Sequence, residues 1–184
     1  MPVADRISPE HALEQVTAVL GDSVRDAHLN HGQVDITCDP ASVVDVVSTL
    51  AQTDDLRFEY FTFLSAIDRS EFGGAGGENA GGLEVLIHLY SPDRVAHVNI
   101  HVPVADEEPS CPSITDIFKG ALWHERETHE MFGIDFDGHP RLVNLYLPED
   151  FVGNPLRRSF KLPSRSIKDW PGAKDPEEAA AGGR

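Results

Sequence analysis

GALWHERETHEMFGIDFDGHPRLVNLYLPEDFVGNPLRRSFKLP, residues 120–163, joins a charged helix to a run of turns and aromatics. Leu122 to Met131 are good helix formers, and Gly133 followed by apolar Ile134 is what a left-handed C-cap with its hydrophobic contact requires. At about 100° per residue, Leu122, Glu125, His129 and Phe132 share one helix face, while Trp123, Glu127 and Met131 share the other. Neither face is purely apolar or purely polar. An ordinary surface helix segregates the two, so the mixture predicts charges that pair with groups elsewhere or meet another protein. The simpler alternative is a solvated Arg126–Glu130 pair at i, i+4, worth about 0.3–0.5 kcal/mol.

Beyond Gly133, Pro140, Pro148, Pro155 and Pro163 break any regular element. Phe136, Leu142, Leu145, Tyr146, Leu147, Phe151, Leu156 and Phe160 are nevertheless too apolar for a linker. Both facts fit an extended arm laid over its own domain or over a partner. In a chain this acidic, Arg126, Arg157 and Arg158 are concentrated basic points suited to bidentate carboxylate contacts. Pro155-Leu156-Arg157-Arg158 is therefore expected to dock near the E-R-E helix or on a partner.

Upstream, Ser8-Pro9 is a helix start, with Leu13, Val16 and Leu20 at helical spacing before Gly21. Asp39-Pro40 repeats the device ahead of a Val43, Val46, Val47, Leu50 stripe. Between them, Ser23–Leu29 and Gln33–Cys38 read as strands around the hairpin turn Asn30-His31-Gly32. Arg57–Ile67, Leu83–Tyr90 and Val95–Val102 are strand-like, the last two joined by a turn at Ser91-Pro92-Asp93-Arg94. Val98, Ile100 and Val102 alternate with Asn99 and His101, predicting a sheet covered on one face and wetter on the other. GGAGGENAGG (73–82) has the backbone freedom of a flexible loop. Ser113 with Asp116 is a capping-box variant, predicting a short helix to Phe118.

The fold class expected is α+β, a mostly antiparallel sheet with helices packed against it and an extended C-terminal arm. The division is an α+β domain over 1–133, an arm over 134–163, and a tail over 164–184 whose last stretch is expected to be disordered.

The chain has 184 residues, a net charge of -16 and a sequence pI near 4.8. That charge opposes binding to nucleic acid and to anionic lipid over any unpatterned surface. Hydrophobic residues make up 40%, and no run approaches the roughly 18 apolar residues of a membrane span. MPVADRISPEHAL has no basic segment followed by an apolar one, so the expected compartment is the cytoplasm.

Chemistry-bearing motifs are sparse. Cys38 and Cys111 have no C-x-x-C spacing and read as small apolar residues, and two cysteines do not supply a four-ligand iron-sulfur site. His124 and His129 are five apart, about 140° around a helix, whereas a zinc-protease helix needs four. His97 and His101 share a strand face and could approach a metal with His88, but no further ligand stands at suitable spacing. There is no G-x-G-x-x-G and no phosphate-binding loop, and Glu125 and Glu127 are too close in sequence to flank one bond as an acid/base pair.

E-R-E-T-H-E-M-F-G-I-D-F-D-G-H-P (125–140), followed by N-L-Y-L-P-E-D-F-V-G-N-P-L-R-R-S-F (144–160), closely resembles the signature of the C subunit of NADH-quinone oxidoreductase, respiratory complex I. Val143 and Asn144 stand where that family usually carries a basic pair, and Asn154 where a histidine is common. The resemblance implies an α+β subunit of the hydrophilic arm, with no flavin, cluster or quinone of its own and no catalytic residues. It implies contact with the D and B subunits so that electrons pass from NADH, through FMN and iron-sulfur clusters in partner chains, to quinone. By the same analogy, the helix 123–132 and the arm are interface, with Trp123, Glu125, Arg126, Glu127, Phe132, His139, Pro140, Arg157 and Arg158 as its candidate residues. The assembly would lie peripherally on the cytoplasmic side of the cell membrane. Two other readings share parts of this pattern: the equivalent subunit of a membrane-bound nickel-iron hydrogenase or deazaflavin-dependent dehydrogenase, and a free-standing metalloenzyme using His97 and His101.

Overall fold

The computed structural model describes residues 6–70 and 81–162. The expected loop at 73–82 and the tail after 163 fall largely outside them. Ser8 caps the first helix, α1 (Pro9–Leu20), by accepting from the His11 N–H with Pro9 in the first turn. A hairpin of β1 (Asp26–Asn30) and β2 (Gln33–Thr37) follows. His31 and Gly32 both have positive φ, 50° and 77°, the geometry of a tight hairpin turn. Helix α2 (Val43–Gln52) buries Val43, Val46, Val47 and Leu50, the stripe read from the sequence. Strands β3 (Tyr60–Asp68), β4 (Leu83–Ser91) and β5 (Ala96–Val104) complete the sheet.

The five strands lie in the order β1-β2-β5-β4-β3, antiparallel except for the β2–β5 pair. The architecture is the expected α+β class. On one face Val34, Ile36, Val85, Ile87, Val98 and Ile100 are at most 1% exposed and form a single core with the buried stripes of α1 and α2. A second, two-stranded parallel unit pairs β6 (Ser110–Pro112) with β7 (Asp135–Asp137). Helix α3 (Ala121–Phe132) runs between those two strands and packs on β3, the far edge of the main sheet.

Four local expectations are corrected. Strand β1 begins at Asp26, because Gly21–Ser23 continues α1 as a 3-10 turn. Strand β3 begins at Tyr60, because Arg57 sits at φ 46° and holds Glu59 and Asp93. Asp39 does not cap α2; its carboxylate pairs with Arg25, and Pro40–Ser42 form a 3-10 turn instead. Ser113 starts no α-helix. Its hydroxyl donates to Glu125 and accepts from Thr115 N–H, and the chain to Phe118 makes only turns.

Candidate functional site

Helix α3 lies between the body and its own C-terminal arm. Ala121, Glu125, Thr128 and Phe132, at i, i+4, i+7 and i+11, face inward and are all buried. Glu125 is fully buried, its carboxylate accepting from Ser113 Oγ (2.7 Å) and Ile114 N–H (2.8 Å). Burial pushes its carboxyl up, against the pull of those two hydrogen bonds. It thereby ties α3 to the segment after β6. On the β3 side, His124 Nδ1–H donates to the Leu64 carbonyl (3.0 Å), and Phe61 packs edge-on to the His124 ring.

The outward side of α3 holds the arm by polar contacts in chain order. His139 Nδ1 accepts from Arg141 N–H, which leaves Nε2–H to donate to the Leu122 carbonyl (3.1 Å). Arg126 donates through Nε and an Nη to the carbonyls of Val143 and Asn144, both at 2.8 Å. Glu130 then receives the N–H groups of three successive residues, Leu145, Tyr146 and Leu147, at 3.1, 2.9 and 2.5 Å. Burial alone would raise the Glu130 carboxyl; the three amides, helped by Arg126, outweigh it and hold the group below its ordinary value. Arg126 and Glu130 are thus not a solvated pair closed on itself. One grips carbonyls and the other amides of the same segment, which bends at Leu145–Leu147 so that three successive N–H groups reach one carboxylate.

The arm then returns to close the end of α3. An α-helix leaves its last carbonyls without intrahelical partners. Here Asn154 Nδ2 donates to the Glu130 carbonyl (3.1 Å), Leu156 N–H to Met131 (3.1 Å), and Arg157 Nε to Phe132 (2.6 Å). Gly133, at φ 72°, turns its own N–H back to His129 and lies so close to Asn154 that a Cβ would stand 2.7 Å from Oδ1. Arg158 donates from its backbone to the Asp68 carboxylate and from Nε to the Asp68 carbonyl, at 2.9 and 3.1 Å. Burial works against the Asp68 charge, but bonds from Ser70 and Arg158 N–H keep its carboxyl low.

The sequence-derived candidates separate accordingly. His139, Arg126, Arg157 and Arg158 all bind within the chain, the last two docking the arm near the E-R-E helix. Glu125 and Phe132 lie inside, at 0% and 6% exposed, and Glu127 is half-buried. Trp123 and Pro140 face outward, Trp123 at 58% exposed with the Arg126 guanidinium 5.8 Å above its ring. Sequence reasoning did not find Glu130 as the arm's anchor, nor Asp68 and Asn154 as its docking points. The one available signal was Glu130 at i+4 from Arg126. Val143 and Asn144 meet Arg126 through backbone carbonyls, so their side chains do not enter that grip. With these polar groups turned inward, part of the arm's apolar surface is left outside: Tyr146 is 62%, Leu156 54% and Val152 88% exposed, while Leu142, Leu145 and Leu147 are half-buried.

The three histidines weighed for metal binding do not converge. His101 is held by Glu84 (2.5 Å) with Asp35 at 3.6 Å, whereas His97 Nδ1 meets His88 Nε2 at 3.2 Å. Among the described residues, no group of three or more His, Cys, Asp or Glu is placed to hold a metal. Cys38 and Cys111 are buried and unpaired, with burial pushing both thiols up to about 12. No described helix is long and apolar enough to cross a membrane.

Residues 36–166 match the family model described as respiratory-chain NADH dehydrogenase, 30 Kd subunit. The NADH-quinone oxidoreductase C subunit of Roseiflexus sp. (strain RS-1) is 35% identical over 84% of this chain and 85% of its own length. The Mesorhizobium japonicum protein of the same name is 36% identical over 82% and 73%. That of Salinispora tropica is 31% identical over 82% of this chain, which spans 59% of that longer protein. Two solved structures share the fold. The trypsin-resistant fragment (1-134) of Nqo5 has a TM-score of 0.54 at 22% identity, covering 72% of this chain and 98% of that one. A chain of the membrane-bound sulfane sulfur reductase, an archaeal respiratory membrane complex, has 0.59 at 16%, covering 77% of each. With the family model spanning most of its length and these relatives agreeing, the chain belongs to the family of the 30 kDa subunit of respiratory NADH dehydrogenase, the C subunit of the NADH-quinone oxidoreductases.

Proposed function

We propose that this chain is a non-catalytic docking subunit in the hydrophilic arm of a proton-translocating NADH:quinone oxidoreductase. Its surface of α3 and the arm seats against the D and B subunits around the quinone site. In this reading the FMN and iron-sulfur clusters lie in partner chains, electrons pass through them from NADH to quinone, and the assembly sits peripherally on the cytoplasmic side of the cell membrane. The observation that carries it is the inverted arm. Its backbone and polar side chains are fixed to α3, while Tyr146, Leu156 and Val152 are turned to solvent at the places where a partner would bury them. Trp123, beside Arg126, adds the aromatic and guanidinium pairing that recurs at energetic centres of interfaces.

Affinity purification through a tag on this chain, with NADH-to-quinone activity, tests the reading. Tyr146→Asp with Leu156→Asp leaves the body intact and is expected to remove partner subunits and activity together. Undiminished recovery of partners and activity would sink it. A second reading, the equivalent subunit of a related membrane oxidoreductase with another electron donor, draws on the fold shared with the sulfane sulfur reductase chain. The subunits recovered in the same purification decide between the two.

A further inference from the structure

The face of the main sheet opposite the core has no described helix packed on it, because the buried apolar residues of α1, α2 and α3 all belong to the core on the other side. At its β3 end the open face carries a continuous platform of five rings on three adjacent strands. Tyr60 meets Tyr90 edge-on with centroids 6.4 Å apart, Tyr90 meets His97 at 4.6 Å, His97 meets His88 at 5.3 Å, and Phe63 stacks on His88 at 5.6 Å with planes 7° apart.

Strand alternation alone would not make this surface. Residues 60 and 63 are three apart and belong on opposite faces of a regular strand. The register slips between Phe61 and Phe63, leaving Thr62 as an extra residue, so Tyr60 pairs with Tyr90 and Phe63 with His88 on the same face. A bulge of this kind re-aims a side chain. Here it turns a second large ring outward, leaving Tyr60 58% and Phe63 38% exposed.

Charge selects the occupant. The rim beside Tyr60 carries Glu59 and Asp93 around one arginine, Arg57, and the whole chain stands at -16, so a second copy would meet like charge. Ring faces attract guanidinium and ammonium groups, and an acidic rim reinforces the attraction. Next to the platform, Asn99 bridges Gln33 and Asp35, and Glu84 joins Arg69 to His101. These groups are already ordered, so docking costs little side-chain freedom there.

We propose that this ring platform is a second protein-docking surface, separate from the α3–arm face, which takes a basic segment of another subunit with an arginine or lysine laid over Tyr60 and Phe63. The proposal rests on the reading of the chain as a subunit of a larger assembly.

The test places the photo-crosslinking residue p-benzoylphenylalanine at Tyr60, with separate controls at Tyr146 on the arm and Val44 on α2, in the tagged complex in membranes. Cross-linked peptides are then read by mass spectrometry. The expected result is a cross-link from position 60 to a partner peptide containing Arg or Lys, and a partner cross-link from position 146 as well. Tyr60→Lys with Phe63→Lys should lower recovery of that partner several-fold, more so at low salt, whereas Tyr60→Glu with Phe63→Glu should retain it. Cross-links from position 146 but none from 60 overturn the platform and leave the proposed function standing. So does a cross-link from 60 only to a second copy or to residues 163–184 of the same chain, or an equal loss with Lys and Glu. No partner at any position, with none co-purifying, overturns both.

Discussion

Helices α2 and α3 are of similar length, 10 and 12 residues, yet they are held by opposite means. Three valines and a leucine of α2 disappear into the core behind the sheet. Helix α3 buries two carboxylates and a threonine along with Ala121 and Phe132, and most of its outward contacts are hydrogen bonds to the arm. Apolar burial is non-directional and secures the body whatever else is bound. Hydrogen bonds specify the path of an irregular segment without consuming all of its apolar side chains, so the arm keeps a fixed shape and an unburied surface together.

This contrast can be broken from either side. The largest effect is expected from the body: Phe58→Ala empties a fully buried site and should cost about 3–5 kcal/mol, read as a lower denaturant midpoint for the whole chain. Glu130→Ala leaves three arm amides without an acceptor and should cost about 1.5–3 kcal/mol, but locally. Hydrogen exchange at Leu145–Leu147 should accelerate while sheet amides keep their protection, and acceleration across the sheet would refute the division. Because the folded Glu130 value lies below the ordinary 4.5, the unfolded chain takes up a proton first. The grip is therefore complete above about pH 4.5 and weakens as pH falls through the lower folded value.

Gly133→Ala sharpens the boundary between the two regions. A side chain at φ 72° is strained, and the added Cβ crowds Asn154, so a loss of more than about 1 kcal/mol is expected. Pairing it with Asn154→Ala should recover the crowding part alone, read as a non-additive double-mutant cycle. The smallest effect belongs to the open sheet face. Glu84, bonded to His101 and aided by Asp35 against the opposing burial and Arg69, raises the His101 value above the ordinary 6.5. Its contribution is fully present below 6.5 and is lost as pH rises through the higher folded value. His101→Gln should flatten that decline, a change of below about 1 kcal/mol in a stability-versus-pH series.

The contrast also sets what could be read from the sequence. Ser8-Pro9, the Val43–Leu50 stripe and Gly133 stated their structure outright, since caps and periodicity are local. The alternation through Val98, Ile100 and Val102 correctly gave one covered and one wetter sheet face. The β2–β5 parallel pair and the β6–β7 unit were not legible, because their partners stand some 25 residues or more apart and no period marks them. In α3 the mixed faces announced external partners without naming them. Those partners are backbone amides and carbonyls, which every residue carries and no sequence pattern displays. Asp39 misled for a related reason: a cap and an ion pair use the same carboxylate, and Arg25 is distant in sequence.

The carbonyls at the end of α3 are served by Asn154, Leu156 and Arg157, more than twenty positions downstream. During synthesis the helix must therefore wait, its final turn open to water while the arm is made. Closure joins the two ends of the signature stretch, and with it Tyr146 and Leu156 acquire a fixed spacing. Finished folding is thus a precondition for presenting the outer surface, so a partially made chain would not offer it to a partner.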